Sequence, residues 1–196
     1  MATVLNIRPS TRTLSAHVLP DEAHVVQFYT EDSFLLDSLA ASLGDSLATG
    51  ESVVVAMTKA HQRGLLKRFS AKGIDAEKMR LSGRLVILDA ADTLKKFMDP
   101  SGPNTQKFLR EIGNVLRKAE GAAEAKGKRV AVFGEMVAVL WSKKKCDAAI
   151  RLEQLWNELA QTHFFHLRCA YPAKWFKGQG GPYSMICAEH SVVIPA

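Results

Sequence analysis

Cysteine is scarce in this chain and odd in number: Cys146, Cys169 and Cys187 are the only three among 196 residues. A disulfide framework needs more, so these read as buried thiols of a reducing compartment. No apolar run approaches the roughly 18–20 residues that span a membrane. Met1 to Pro20 lacks the continuous apolar stretch of a secretory signal, so a cytoplasmic location is expected. There is no internal repeat and no low-complexity tract. Gly (13) and Pro (7) are too few for a linker or a collagen-like chain. Charge of neither sign dominates, since 26 Lys and Arg against 20 Asp and Glu leave a net +6. Basic groups at Lys126, Lys128, Arg129 and Lys143 to Lys145 come with no helix-turn-helix, RNP or finger pattern, so direct nucleic-acid binding is not expected. With 47% apolar and 23% charged residues, the chain has the makings of a globular core and is not disordered. The length suits one domain, residues 22–196, behind an N-terminal arm of residues 1–21.

From His24 onward, short apolar runs alternate with amphipathic stretches. His24 to Tyr29 is β-branched and aromatic, which predicts a strand. Thr30 to Ser33 offers helix caps, and Leu35, Leu39, Leu43 and Leu47 recur as a helical stripe before Gly50. Ser52 to Met57 is apolar throughout, as in a strand covered on both faces. A helix is predicted from Lys59 to Lys72, stopped by Gly73, and a strand over Arg84 to Asp89. After a Pro- and Gly-rich loop at 99–103, a long helix runs from Thr105 to Lys126, closed by Gly127. Arg129 to Phe133 is a fourth strand. Asp147 to Gln161 is a helix with Ile150, Leu152, Leu155, Trp156 and Leu159 inward. Phe164 to Cys169 is a fifth strand. Residues 174–182 read as a flexible loop, and Tyr183 to Val193 as one further strand or a pair. This order predicts an α/β fold, a three-layer αβα sandwich around a mostly parallel central sheet.

In such sheets ligands sit beyond the carboxyl ends of the strands. The candidate residues there are Tyr29 and Asp32, Thr58, Asp89, Glu135 and Met136, and Tyr171. Gly134 is read as a flexible point that turns Glu135 toward the cleft. The first strand-to-helix turn, Phe28 to Phe34, has neither the Gly nor the Lys of a phosphate loop, and it carries two acids that repel a triphosphate. A standard NTPase is therefore disfavoured, although Leu85 to Asp89 resembles a Walker-B strand. There is no G-x-S-x-G. Cys146 follows three lysines, which favour its thiolate, but no His lies near it. His163-x-x-His166-x-x-Cys169 and Cys187-x-x-His190 have metal-ligand residue types. Positions three apart on a strand point to opposite faces, however, and no C-x-x-C pair exists, so neither a metal nor a cofactor is expected.

His24-Val-Val-Gln-Phe-Tyr29, Gly134-Glu135-Met136, Leu152-Glu153-Gln-Leu155-Trp156-Asn157, Cys169-Ala-Tyr171-Pro172 and Cys187-Ala-Glu-His190-Ser, in this order, resemble the MEDS domain, the sensory domain named for regulators of methanogens and methylotrophs. The resemblance covers residues 22–195. It implies a RecA-like fold, akin to circadian-clock and DNA-repair ATPases, that has lost its phosphate loop. It implies a sensor of small molecules, hydrocarbon derivatives among them. Family members precede histidine kinases, anti-sigma-factor kinases or DNA-binding regulators. No such output segment is read here, so signalling would pass to a separate kinase, anti-sigma factor or transcription regulator, or through a homo-oligomer.

The favoured expectation is a non-enzymatic sensor. Tyr29, Thr58, Met136, Tyr171 and Trp141 would wall the ligand, and Asp32, Asp89, Glu135 and His190 would make polar contacts. The alternative is a divergent nucleotide hydrolase, with Asp89 on Mg²⁺ and Glu135 activating water. A third expectation is an interaction protein that docks through the Thr105–Lys126 helix and through Trp175 and Phe176.

Overall fold

The computed structural model describes residues 24–124, 129–176, 178 and 180–196. The arm at 1–21, and the end of the long helix expected at Lys126 and Gly127, lie outside the described residues. Six strands form one sheet: β1 (His24–Tyr29), β2 (Ser52–Met57), β3 (Leu85–Asp89), β6 (Val130–Gly134), β7 (Phe165–Pro172) and β8 (Val192–Ile194). Their order is β3-β2-β6-β7-β1-β8, and every pairing is parallel. Between β3 and β6 a two-residue antiparallel hairpin, β4 (Met98–Asp99) and β5 (Gly102–Pro103), turns through Gly102 at φ 126°.

The period-2 alternation of each strand sorts its side chains onto two faces. Val53, Val55 and Met57 of β2, with Ala131 and Phe133 of β6, meet α1 (Asp32–Ala48) and α2 (Lys59–Ala71) through Leu35, Leu39, Leu43, Leu65 and Phe69. Short α3 (Ala76–Leu81) borders this face. Val26 and Phe28, Val54 and Ala56, Val130 and Val132, and Leu167, Cys169 and Tyr171 point the other way. There they pack on α4 (Ala90–Lys95), α5 (Thr105–Ala122), α6 (Met136–Ser142), α7 (Cys146–Leu159) and α8 (Gly180–Ala188). The result is the three-layer αβα sandwich, with β2 buried along its whole length.

Four expectations need correction. Residues 174–182 are no free loop: Ala173–Phe176 is a 3₁₀ turn, and α8 starts at Gly180. The Gly-Gly-Pro start suits a first helical turn, where the amide that Pro lacks has no partner anyway. Tyr183 to Val193 is mostly this helix, with only Val192–Ile194 a strand. Trp175 is half-buried and Phe176 buried, with the Phe176 ring 5.0 Å from that of Trp141 and 5.2 Å from that of Phe28; they pack inward rather than offering a docking face. The long helix ends at Ala122, and α3, α4 and α6 are additional helices.

Candidate functional site

The strands β2 and β6 are neighbours, yet their following helices leave to opposite faces, α2 to one and α6 to the other. That divergence marks a region at their carboxyl ends, the place where open α/β sheets bind ligands. Glu135 sits in it, 3% exposed. The amide of Thr58, just past β2, donates to Glu135 Oε2 at 2.8 Å. Thr58 also caps α2, its hydroxyl accepting from the His61 amide at 3.4 Å. This cap aims the first turn of α2 at Glu135, and His61 Nδ1 pairs with Glu135 Oε1. On its other side His61 Nε2 lies 3.4 Å from Asp32 Oδ2, which is exposed at the start of α1. The Tyr29 ring stands edge-on to the imidazole, centroids 6.5 Å apart.

The electrostatics follow from this contact list. The hydrogen bond to Glu135 raises the pKa of His61, against the opposing effect of burial, with help from the Glu135 charge and from Asp32. Burial, then the Glu135 and Asp32 charges, push the Tyr29 hydroxyl far up. The site is thus a carboxylate–imidazole pair with a second carboxylate at its mouth and a neutral phenol beside it. Two acids around one imidazole suit a neutral or cationic polar group better than an anion.

A second cluster lies on the opposite face of the sheet. Glu153, fully buried in α7, accepts from Tyr171 Oη at 2.8 Å and from Cys169 Sγ at 3.2 Å. His24 Nε2 is 3.2 Å and His190 Nε2 3.5 Å from Glu153 Oε2. Burial opposes the charge on Glu153, but His190 and His24 outweigh it and hold the carboxyl well below the carboxylate range. Burial pushes up the Cys169 thiol and the Tyr171 hydroxyl, and the Glu153 charge adds to both. A cleft of about 350 Å³ opens beside this cluster, with His24, Trp156, Asn157, Phe165, Glu189 and His190 in its walls.

Residues 23–180 match the sequence pattern of MEDS, the methanogen/methylotroph, DcmR sensory domain. The chain belongs to the MEDS family. Among solved structures it is similar to a KaiC-like protein of the hyperthermophilic archaeon Pyrococcus horikoshii OT3, with a TM-score of 0.59 and 18% identity, over 90% of this chain and 74% of that one. At that identity the likeness speaks for the fold, which is RecA-like. No curated protein matches.

In this MEDS domain the residues expected to share one site are divided. Tyr29, Asp32, Thr58 and Glu135 do converge. Asp89 does not join them, because its carboxylate caps α4, accepting from the Asp92 amide at 2.9 Å. Met136 is 1% exposed and packs in the core, and Trp141 packs edge-on to Tyr171 at 5.9 Å. Tyr171 and His190 belong to the second cluster. Gly134 needs no special backbone, since its φ is not among the positive ones; the glycine does not steer Glu135, and the Thr58 amide and His61 do. Sequence reasoning passed over His61, His24 and Glu153. Glu153 carried a signal: Ala149, Glu153 and Trp156 share the buried stripe of α7 with Leu152, so a carboxylate falls where the helical period demands an apolar residue.

Proposed function

We propose that this MEDS domain is a signal-transduction sensor that binds a small polar molecule at the carboxyl ends of β1, β2 and β6, on Glu135 and His61. The observation that carries the reading is the buried Glu135 carboxylate, held by the Thr58 amide and His61 at the strand ends where α2 and α6 diverge. A buried carboxylate with its acceptors fixed is a specific anchor for an ammonium or hydroxyl group. Acids Glu31 and Asp32, with no Lys or Gly over residues 28–34, turn phosphate away. Amines and alcohols of small hydrocarbons fit this chemistry. The bound state would be passed to a separate kinase or transcription regulator, or to a second copy of the chain.

The nucleotide-hydrolase alternative is less favoured, because Asp89, its metal ligand, caps α4. In strand order β3 stands four places from β1 and two from β6. At about 4.8 Å per step, the backbone at Asp89 stands about 19 Å from the first strand-to-helix turn, where a phosphate loop would lie.

Thermal unfolding separates the two. Native-state binding stabilises by about 2.7 kcal/mol at a hundredfold excess over Kd. Methylated amines and short alcohols, tested singly, are expected to raise the Tm, and Glu135→Ala and Tyr29→Ala to remove the shift. A shift with Mg-ATP or Mg-GTP, or small-molecule shifts that survive both substitutions, would overturn the site.

A further inference from the structure

We propose that His24, Glu153, Cys169 and His190 form a tetrahedral binding site for a divalent, borderline-soft metal ion, zinc foremost, reached through the cleft beside them. This rests on the buried cluster alone and is independent of the strand-end reading. The four side chains come from β1, α7, β7 and the segment after α8, so only the folded chain assembles them. Their ligand atoms all lie within 4.8 Å of one another. Four of the separations are 3.2 Å (His24 Nε2 to Glu153 Oε2), 3.2 Å (Cys169 Sγ to Glu153 Oε2), 3.5 Å (His190 Nε2 to Glu153 Oε2) and 3.6 Å (His24 Nε2 to Cys169 Sγ). Zinc bonds of about 2.0–2.3 Å at tetrahedral angles place ligand atoms about 3.3–3.8 Å apart.

The outer contacts orient the ligands. Asn157 Nδ2 donates to the Glu189 carbonyl at 3.0 Å, so its Oδ1 faces His24 Nδ1 at 2.8 Å and that nitrogen carries the hydrogen. His190 Nδ1 donates to the Ile186 carbonyl at 2.7 Å. Both Nε2 atoms therefore face inward. Histidines that ligate metals are held in this way, the second ring nitrogen donating to a carbonyl or carboxylate. Tyr171 Oη fixes the outer oxygen of Glu153 and leaves Oε2 for the centre. His190 Nε2 is buried, on a side chain with no exposure, and approaches Glu153 Oε2 at 3.5 Å without a well-formed hydrogen bond. Three inward acceptors around one thiol repel one another unless positive charge, a proton on one imidazole or a metal ion, lies between them.

Charge and ligand type select the ion. Cys169 gives up its proton to solvent on coordination, and the thiolate and the Glu153 carboxylate then cancel a 2+ ion between two neutral imidazoles. The assembly is neutral, which is what a buried position tolerates. Two imidazoles with a thiolate favour zinc over magnesium or calcium, which seek all-oxygen shells. His24, at the wall of the cleft and 11% exposed in its side chain, is the point of entry.

The test uses the full chain, reduced and stripped with chelator, titrated with cobalt(II) as a spectroscopic probe and then with zinc in competition. One cobalt per chain is expected, with tetrahedral ligand-field bands and a thiolate-to-cobalt charge-transfer band, both displaced by zinc. Cys169→Ser should abolish the charge-transfer band, and Cys187→Ser should keep it. Asn157→Ala touches no ligand atom; it should weaken affinity about 10- to 100-fold while the fold persists by circular dichroism. Absence of uptake by the reduced wild-type chain overturns the proposal. So does a charge-transfer band that survives Cys169→Ser or disappears with Cys187→Ser.

Discussion

Two buried glutamates, each beside histidine, occupy opposite faces of the same sheet, and the difference between them is solvent. Glu135 is held by a backbone amide and one imidazole, and that imidazole reaches exposed Asp32 at 3.4 Å. Glu153 has no exposure and is ringed by two imidazoles, a thiol and a phenol. The first has a partner that reaches toward solvent. The second cannot lose a partner without stranding charge in the core. The pair illustrates how one residue type can sit near solvent at a strand end or wholly enclosed beneath a helix.

The largest effect should come from breaking the inner cluster. In chelator-treated protein, Glu153→Ala leaves two histidines and a tyrosine facing a void, and removal of one partner from a buried ionic group costs about 3–5 kcal/mol. Glu135→Ala removes an acceptor from one amide and one imidazole near solvent, at about 1–3 kcal/mol. Urea unfolding at neutral pH ranks the two. An equal or reversed order would show that the Glu135 site is as closed as the inner site.

The next effect is one of pH. The folded-state pKa of His61 is raised above its ordinary 6.5. Its contribution to stability is therefore complete below the unfolded value and is lost as pH rises through the folded one. Stability measured from about pH 6 to about pH 9 should fall in wild type, and His61→Gln should flatten that limb. A slope unchanged in His61→Gln would assign the titration elsewhere and weaken the carboxylate–imidazole description of the strand-end site.

The sequence makes one of these two regions far more legible than the other. β1 and β2 carry continuous β-branched runs, and their bounds are as expected from them. The strand-end rule then finds Tyr29, Asp32, Thr58 and Glu135, because parallel topology alone places those positions together. It fails for Asp89, whose strand lies at the sheet edge, and for His61, a first-turn helix residue with nothing local to mark it. The inner cluster depends on register. Val26 pairs with Cys169 and His24 with Leu167, and no spacing within one segment encodes that. Cys169 and His190 are visible as metal-type residues, but of the partners that complete the set, His24 lies 145 positions from Cys169, and Glu153 sits on a different element. Helix α8 was hidden because Tyr183, Ile186 and Cys187 read as strand residues, and only Ile186 of the helix is buried.

The smallest effect concerns Gly134, which joins the two regions. It precedes Glu135, and it pairs in register with Ala56 on one side and Cys169 on the other. Its side-chain direction is therefore that of Cys169, toward the inner cluster. A Cβ built there meets nothing within 4 Å, although the residue is buried and its φ is not positive. At Gly64, by contrast, a Cβ would lie 2.6 Å from Leu36 Cδ1. Gly134→Ala should leave stability unchanged or raise it by up to about 1 kcal/mol, through the narrower unfolded ensemble, whereas Gly64→Ala should lower it. A loss of stability in Gly134→Ala would mean that the open space is closed in solution. If stability holds while small-molecule shifts shrink, the room above Gly134 is part of the ligand's volume, and the two glutamate regions communicate across β6 instead of acting apart.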